Sequence, residues 1–207
     1  MRTRLEPILM TRRLFIALLV LLGWPALAQP PATTRVILQT SEGNIVLELE
    51  TQRAPVTAAN FLRYVDQRQL DGTEFYRAMR MGENSGLIQG GIRDSRLLHP
   101  PIAHEPTSQT GVTHVDGSIS MARLAPGSAQ ADFFITVGPV PGFDAGPLSG
   151  GDQLGFAAFG RVVEGMDVVR RIWVSPTSPT EGVGVMRGQM LSPRIRLITA
   201  RRATPAR

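Results

Sequence analysis

Residues 75–91 read FYRAM, RMGENSGL, IQGG, two short apolar runs around a turn-rich loop. The first lies in TEFYRAM (73–79), a strand whose Phe75 and Arg77, two residues apart, are expected on one face. The second, LIQGG (87–91), carries Gln89 and ends in a glycine pair that permits a bulge or a close backbone approach. A fixed cation is thus paired with a side-chain amide. A second apolar pair, SISMAR (118–123) and DFFITVG (132–138), supplies a greasy partner surface. No paired carboxylates in a shared motif and no Ser-His-Asp signature accompany them. What remains is an arginine beside apolar and aromatic residues. Such a site binds something apolar and sets one strong hydrogen-bond donor against it.

Bulk composition narrows the chemistry. The 207 residues are 43% hydrophobic and 19% charged, which suits one globular domain with a real core. Aromatics make up 6%, so each Phe is a core or pocket candidate. With no Cys, disulfides and thiol chemistry are excluded, and zinc would need His and carboxylates. Every basic residue is Arg, which excludes a lysine Schiff base. Arg2, Arg4, Arg12 and Arg13 against Glu6 place +3 in the first 28 residues and leave +2 of the chain's +5 for the rest. That remainder offers no electrostatic case for nucleic acid.

Residues 1–28 read as an export signal: a basic n-region from Arg2 to Arg13, the apolar LFIALLVLLG (14–23), and the cleavage site Ala26-Leu27-Ala28. The mature chain is expected to start at Gln29; the competing reading is an uncleaved anchor. Thr11-Arg12-Arg13-Leu14-Phe15 resembles a twin-arginine signal, but the very greasy h-region favours the general secretory route. The expected location is the periplasm.

Residues 29–34 read as a linker, 35–202 as the domain and 203–207 as a tail. RVILQTS (35–41) and NIVLELE (44–50) form a hairpin about Glu42-Gly43, with half-buried alternation in the second strand. Pro55 opens a helix with Phe61, Leu62 and Val65 on one face. GFAAFGRVV (155–163) is a strand and EGMDVVRRI (164–172) a second helix striped by Met166, Val169 and Ile172. RIRLITA (194–200) closes the chain, and Arg201, Arg202 and Arg207 read as a solvated basic terminus. Residues 175–190 form a loop long enough to be functional or mobile. About eight short strands with two helices, and no βαβ alternation, predict a mainly β antiparallel barrel or sandwich, with the helices able to plug barrel ends.

FYRAM…IQGG resembles the Phe-His-Arg…Gln-Gly-Gly signature of cyclophilin-type peptidyl-prolyl isomerases. SISMAR…DFFITVG is similar to their Met-Ala…Phe-Phe-Ile block, FAAFGRVVEGMDVVRRI to the block before their last strand, and APVTAANFLRYVD to their first helix. The likeness runs from Arg35 to Arg201 in the family's order. It implies an eight-stranded antiparallel barrel capped by two helices, and an enzyme that needs no cofactor or metal. The implied partners are proline-containing peptides and unfolded exported proteins, with no nucleic acid and, after signal cleavage, no membrane; a monomer is expected.

By the same resemblance Arg77 is the catalytic donor, and Gln89 holds the substrate carbonyl and orients the arginine. Met121 and Phe134, with Leu87, line the proline pocket. Ala122 and Arg123 offer backbone groups to the peptide, and Asp132 stands where many members carry Gln. Phe75, Tyr76, Leu154 and Phe156 complete the substrate-binding set. Tyr76 replaces a frequent His. Ser85-Gly86 falls where a pocket aromatic is expected, leaving either a shallower pocket or Met81 folded in. Leu154 and Phe156 stand for the tryptophan and histidine of cyclosporin-sensitive members, which implies weak cyclosporin binding. The alternatives are a non-catalytic peptide-binding or chaperone module on the same fold, or a carrier of a small apolar ligand. His99, His104 and His114 with Glu105 lack helical spacing and read as ordinary loop residues rather than a metal cluster.

Overall fold

The computed structural model describes residues 32–204. The export signal at 1–28, its cleavage site, residues 29–31 of the linker and residues 205–207 of the tail lie outside them. Strands β1 (Thr34–Thr40) and β2 (Gly43–Leu49) form the expected hairpin. Helix α1 (Pro55–Asp66), β3 (Glu74–Arg80), β4 (Gly86–Gly91) and the single turn α2 (Thr107–Thr110) follow. Then come β5 (Ser118–Met121), β6 (Phe133–Val137), β7 (Ala157–Glu164) and α3 (Met166–Val174). The two-residue β8 (Thr177–Ser178) and the long β9 (Met190–Arg202) end the chain.

All the pairings are antiparallel, in the order β1-β2-β7-β5-β6-β4-β3-β9, and β9 pairs back onto β1. The sheet therefore closes on itself as an eight-stranded barrel and loses its exposed edges. β8 adds only a short pairing on β9.

Inward residues fill the barrel. Leu38, Ile45, Leu47, Ile88, Ile119, Phe133 and Phe159 are fully enclosed, and α1 seats Phe61, Tyr64 and Val65 against them. Phe61 meets Phe133 edge-on with ring centroids 5.3 Å apart; such pairing adds about 0.5–1.5 kcal/mol beyond area burial. Helix α3 contributes Val168, Val169, Ile172 and Trp173, while Met166 is only partly buried.

The N-terminus of α1 lacks a side-chain cap from Ala54. Glu105 supplies one from a distant loop: its carboxylate accepts from Val56 N (3.1 Å), Thr57 N (2.7 Å) and Thr57 Oγ1 (2.6 Å). An anion there satisfies free N–H groups and the positive end of the helix dipole.

Several expectations need correction. The stretch 175–190 is not all loop, because it contains β8 and a turn at Gly184–Met186, and β9 begins at Met190 rather than Arg194. Arg201 and Arg202 are not a free tail. They end β9 and pair with Asp71 and Asp66 at 2.7 Å each. Phe75 and Arg77 do not share a face. Across β4, Phe75 pairs with Gly90 and Arg77 with Gln89, so Tyr76 is an extra residue in a β-bulge. The bulge resets the alternation: Phe75 goes into the core, while Tyr76 and Arg77 both reach the outside of the barrel wall.

Candidate functional site

On that outer wall lies a pocket of about 580 Å³. Nine of the twelve expected site residues line it: Tyr76, Arg77, Leu87, Gln89, Ala122, Arg123, Asp132, Phe134 and Phe156. Three lie elsewhere. Phe75 is turned inward by the bulge. Met121 follows Ile119 into the barrel interior, because the alternation along β5 leaves Ser120 and Ala122 for the opposite face. Leu154 lies outside the lining on an exposed loop, where its carbonyl meets His104 Nε2 at 3.1 Å. Met81 does not fold in; it is 49% exposed.

Arg77 is half buried and held by neutral groups. Its Nη1 donates to Gln89 Oε1 and its Nε to Gln189 Oε1, both at 2.8 Å. Among the described residues Nη2 reaches only the thioether of Met79, at 3.2 Å, a weak acceptor that leaves it donors to spare. Burial draws the Arg77 pKa below the usual arginine value. Gln89 Nε2 donates to the Tyr76 hydroxyl, and that hydroxyl donates to Asp132 Oδ2, both at 2.7 Å. Burial, then the Asp132 charge, pushes the Tyr76 phenol up; burial also raises Asp132. Arg93 lies over the Tyr76 ring, 4.7 Å from its centroid.

The facing wall is aromatic. Phe134, Phe143 and Phe156 meet pairwise near perpendicular, with centroids 5.1–5.5 Å apart. Arg123 lies over Phe156 and grips Asp152 with two bonds of 2.8 Å, so its side chain is only 7% exposed. That guanidinium holds the Asp152 carboxyl down to about 2.

Behind Phe134 stands His114, stacked at 6.0 Å and buried. Its Nδ1 meets Asp144 at 2.7 Å and its Nε2 meets Ser120 at 3.0 Å. His114 is therefore no ordinary loop residue. The row has the order of a hydrolytic triad, yet Ser120 has no exposed surface and cannot meet a substrate. The other histidines and Glu105 are dispersed: His99 bonds Gln67 and Gln69, His104 a carbonyl, and Glu105 the α1 N-terminus.

Sequence reasoning missed Phe143, Met186, Arg93 and Gln189. Phe143 carried a signal, since aromatics are scarce and this one sits in a Gly/Pro-rich loop. The unusual length of 175–190 was the signal for Met186 and Gln189. Arg93 had none.

The family described as "Cyclophilin type peptidyl-prolyl cis-trans isomerase/CLD" matches residues 35–190. The "Peptidyl-prolyl cis-trans isomerase A" of Dickeya dadantii is 35% identical over 183 residues, covering 84% of this chain and 90% of that protein. The "Peptidyl-prolyl cis-trans isomerase B" of Escherichia coli is 35% identical over 144 residues, covering 66% and 82%. A solved Cryptosporidium parvum cyclophilin type isomerase, determined in the presence of the dipeptide Ala-Pro, shares the fold. It aligns with a TM-score of 0.63 at 18% identity, covering 82% of this chain and 99% of that one. With a closed barrel, an arginine held at an apolar pocket and relatives matched over most of their length, the chain belongs to the cyclophilin family and is a peptidyl-prolyl cis-trans isomerase.

Proposed function

We propose that the protein accelerates X-Pro isomerisation in exported chains as they fold, with Arg77 donating to the prolyl nitrogen of the twisted amide. Amide resonance sets a barrier of roughly 18–20 kcal/mol and makes exchange slow. Twisting localises the lone pair on nitrogen. A donor aimed there binds the twisted state better than the planar one, which is the condition for rate acceleration.

The observation that carries this reading is the way Arg77 is held. Two amide oxygens fix its fork without neutralising it, and Nη2 keeps its donors. The proline ring packs against the Phe134, Phe143 and Phe156 wall. Gln89 Nε2 spends one hydrogen on Tyr76 and keeps the other for the peptide carbonyl before proline. No nucleophile is called for.

The natural substrates in this reading are proline-containing segments of unfolded exported proteins, met in the periplasm by a monomer. Residues 1–28 support the location through their basic, apolar and small-residue order. N-terminal sequencing of the exported protein should find Gln29 first. Weak cyclosporin binding belongs to the same reading, since Leu154 lies outside the pocket. An inhibition constant like that of sensitive members would remove this part.

The deciding experiment is exchange NMR of an Ala-Pro-Phe-type peptide with the wild type and Arg77→Ala. Acceleration lost in the variant while the peptide still binds is expected. Binding without acceleration by either protein would replace the proposal with a peptide-binding module.

A further inference from the structure

We propose that Asp132 is a positioning residue rather than a substrate contact: through Tyr76 it fixes Gln89, and through Gln89 it fixes Arg77. This rests on the isomerase reading of Arg77 given above.

A guanidinium only donates and an ionised carboxylate only accepts. Arg77 Nη1 therefore requires the oxygen of the Gln89 amide, at 2.8 Å, which turns Gln89 Nε2 toward Tyr76. The Tyr76 oxygen must then accept from Nε2, and its own proton has to go elsewhere. Asp132 Oδ2, at 2.7 Å, takes it. The row Arg77–Gln89–Tyr76–Asp132 is locked in one polarity from both ends.

Remove the acceptor at the Asp132 end and the Tyr76 hydroxyl, with 2% of its residue surface exposed, has no other acceptor among its hydrogen-bond partners. It can donate only to the Gln89 oxygen. That turn would leave the Gln89 NH2 group against the Arg77 guanidinium, donor to donor.

The second observation is the geometry of Asp132 itself. Its Oδ1 is buried and has no partner among the described residues. It lies against the Gly91 backbone, where an added Cβ would come 2.3 Å from it. An unpartnered buried oxygen costs about 1–3 kcal/mol. Gly91 makes room for a carboxylate held at a loss, and its one bonded oxygen is the one that ends the row. The charged and titratable groups facing it are the Tyr76 hydroxyl from β3 and the Arg93 guanidinium from the segment after β4.

The test measures catalysed exchange of the Ala-Pro-Phe-type peptide by the mature protein, separating kcat from KM. Asp132→Leu and Tyr76→Phe should each lower kcat about tenfold with KM within about twofold, and the double variant should lose no more than either single one. Asp132→Asn keeps an acceptor and should restore kcat to within about twofold of wild type. An unchanged kcat in either single variant, losses that multiply in the double variant, or a loss confined to KM would overturn the proposal; the last would make Asp132 a substrate contact. If Asp132→Leu fails to fold, Tyr76→Phe and Asp132→Asn carry the decision by the same criteria. Arg77→Ala runs alongside. If it keeps full activity, the role given to Arg77 fails and takes the row with it. If it loses activity while Asp132→Leu does not, only the row fails.

Discussion

The two sides of the pocket each bury an arginine, and they treat it in opposite ways. Arg123 is clamped by the Asp152 carboxylate, capped by the Gly155 carbonyl and laid over Phe156. Its charge is paired within the protein, and Phe156 lines the pocket beneath it. Arg77 is gripped as firmly, but by two amides and a thioether. Its position is fixed and its charge is not. A carboxylate partner would hold Arg77 equally well and would compete for its donors with the prolyl nitrogen proposed as their target. In the proposed mechanism the chemistry falls to the arginine whose partners are neutral.

The sharpest way to break this contrast is to remove each cation. Arg77→Ala should lower kcat/KM on the order of 10²–10³-fold, the size seen when a preorganised donor is lost. Arg123→Ala should leave kcat within about threefold and act mainly on KM, because it disturbs only the wall. Peptide exchange at several substrate concentrations reads both, and equal kcat losses would erase the distinction.

Gln189 offers an intermediate case. Gln189→Ala frees the Arg77 Nε but leaves Gln89 in place. Catalysed exchange should fall about tenfold, the worth of one hydrogen bond to a charged group. A loss as large as that of Arg77→Ala would mean that the 184–189 turn does more than hold Nε.

His114 sharpens the comparison from behind the aromatic wall. Burial holds its pKa below the ordinary 6.5 and outweighs the opposing pull of Asp144. Above pH 6.5 the ring is neutral both folded and unfolded, so it makes no pH-dependent difference. Below it, the unfolded chain takes up a proton that the folded one refuses, and stability falls until the folded pKa is reached. Urea unfolding at pH 7.5 and 5.5 should show that loss, and His114→Gln should reduce it. An equal loss in the variant would assign the pH dependence to other groups.

Arg77 and Gln89 were legible together because they sit on adjacent strands 12 residues apart, in runs whose composition marks them as strands. Gln189 was not, since its contact with Arg77 spans 112 residues and depends on where a loop between β8 and β9 returns. Alternation puts Phe75 on the Arg77 face and the family likeness puts Met121 in the pocket, but period-two reasoning needs a phase that neither supplies. One bulged residue, Tyr76, shifts that phase in β3, and closure of the barrel sets it in β5. Glu105 looked like a stray acid in a loop until α1 arrived beside it.

The residues alone determined most of the strands and the two longer helices, a mainly β antiparallel architecture, the family likeness that chose a barrel over a sandwich, and the Arg77–Gln89 motif pair, because each of these is written in local periodicity or a short motif. Tertiary structure decided which side of the wall each side chain occupies and which neutral groups hold Arg77. It also decided that the acid of the pocket, Asp132, bonds Tyr76. Those outcomes depend on register and on contacts between segments far apart in the chain, which no local pattern encodes.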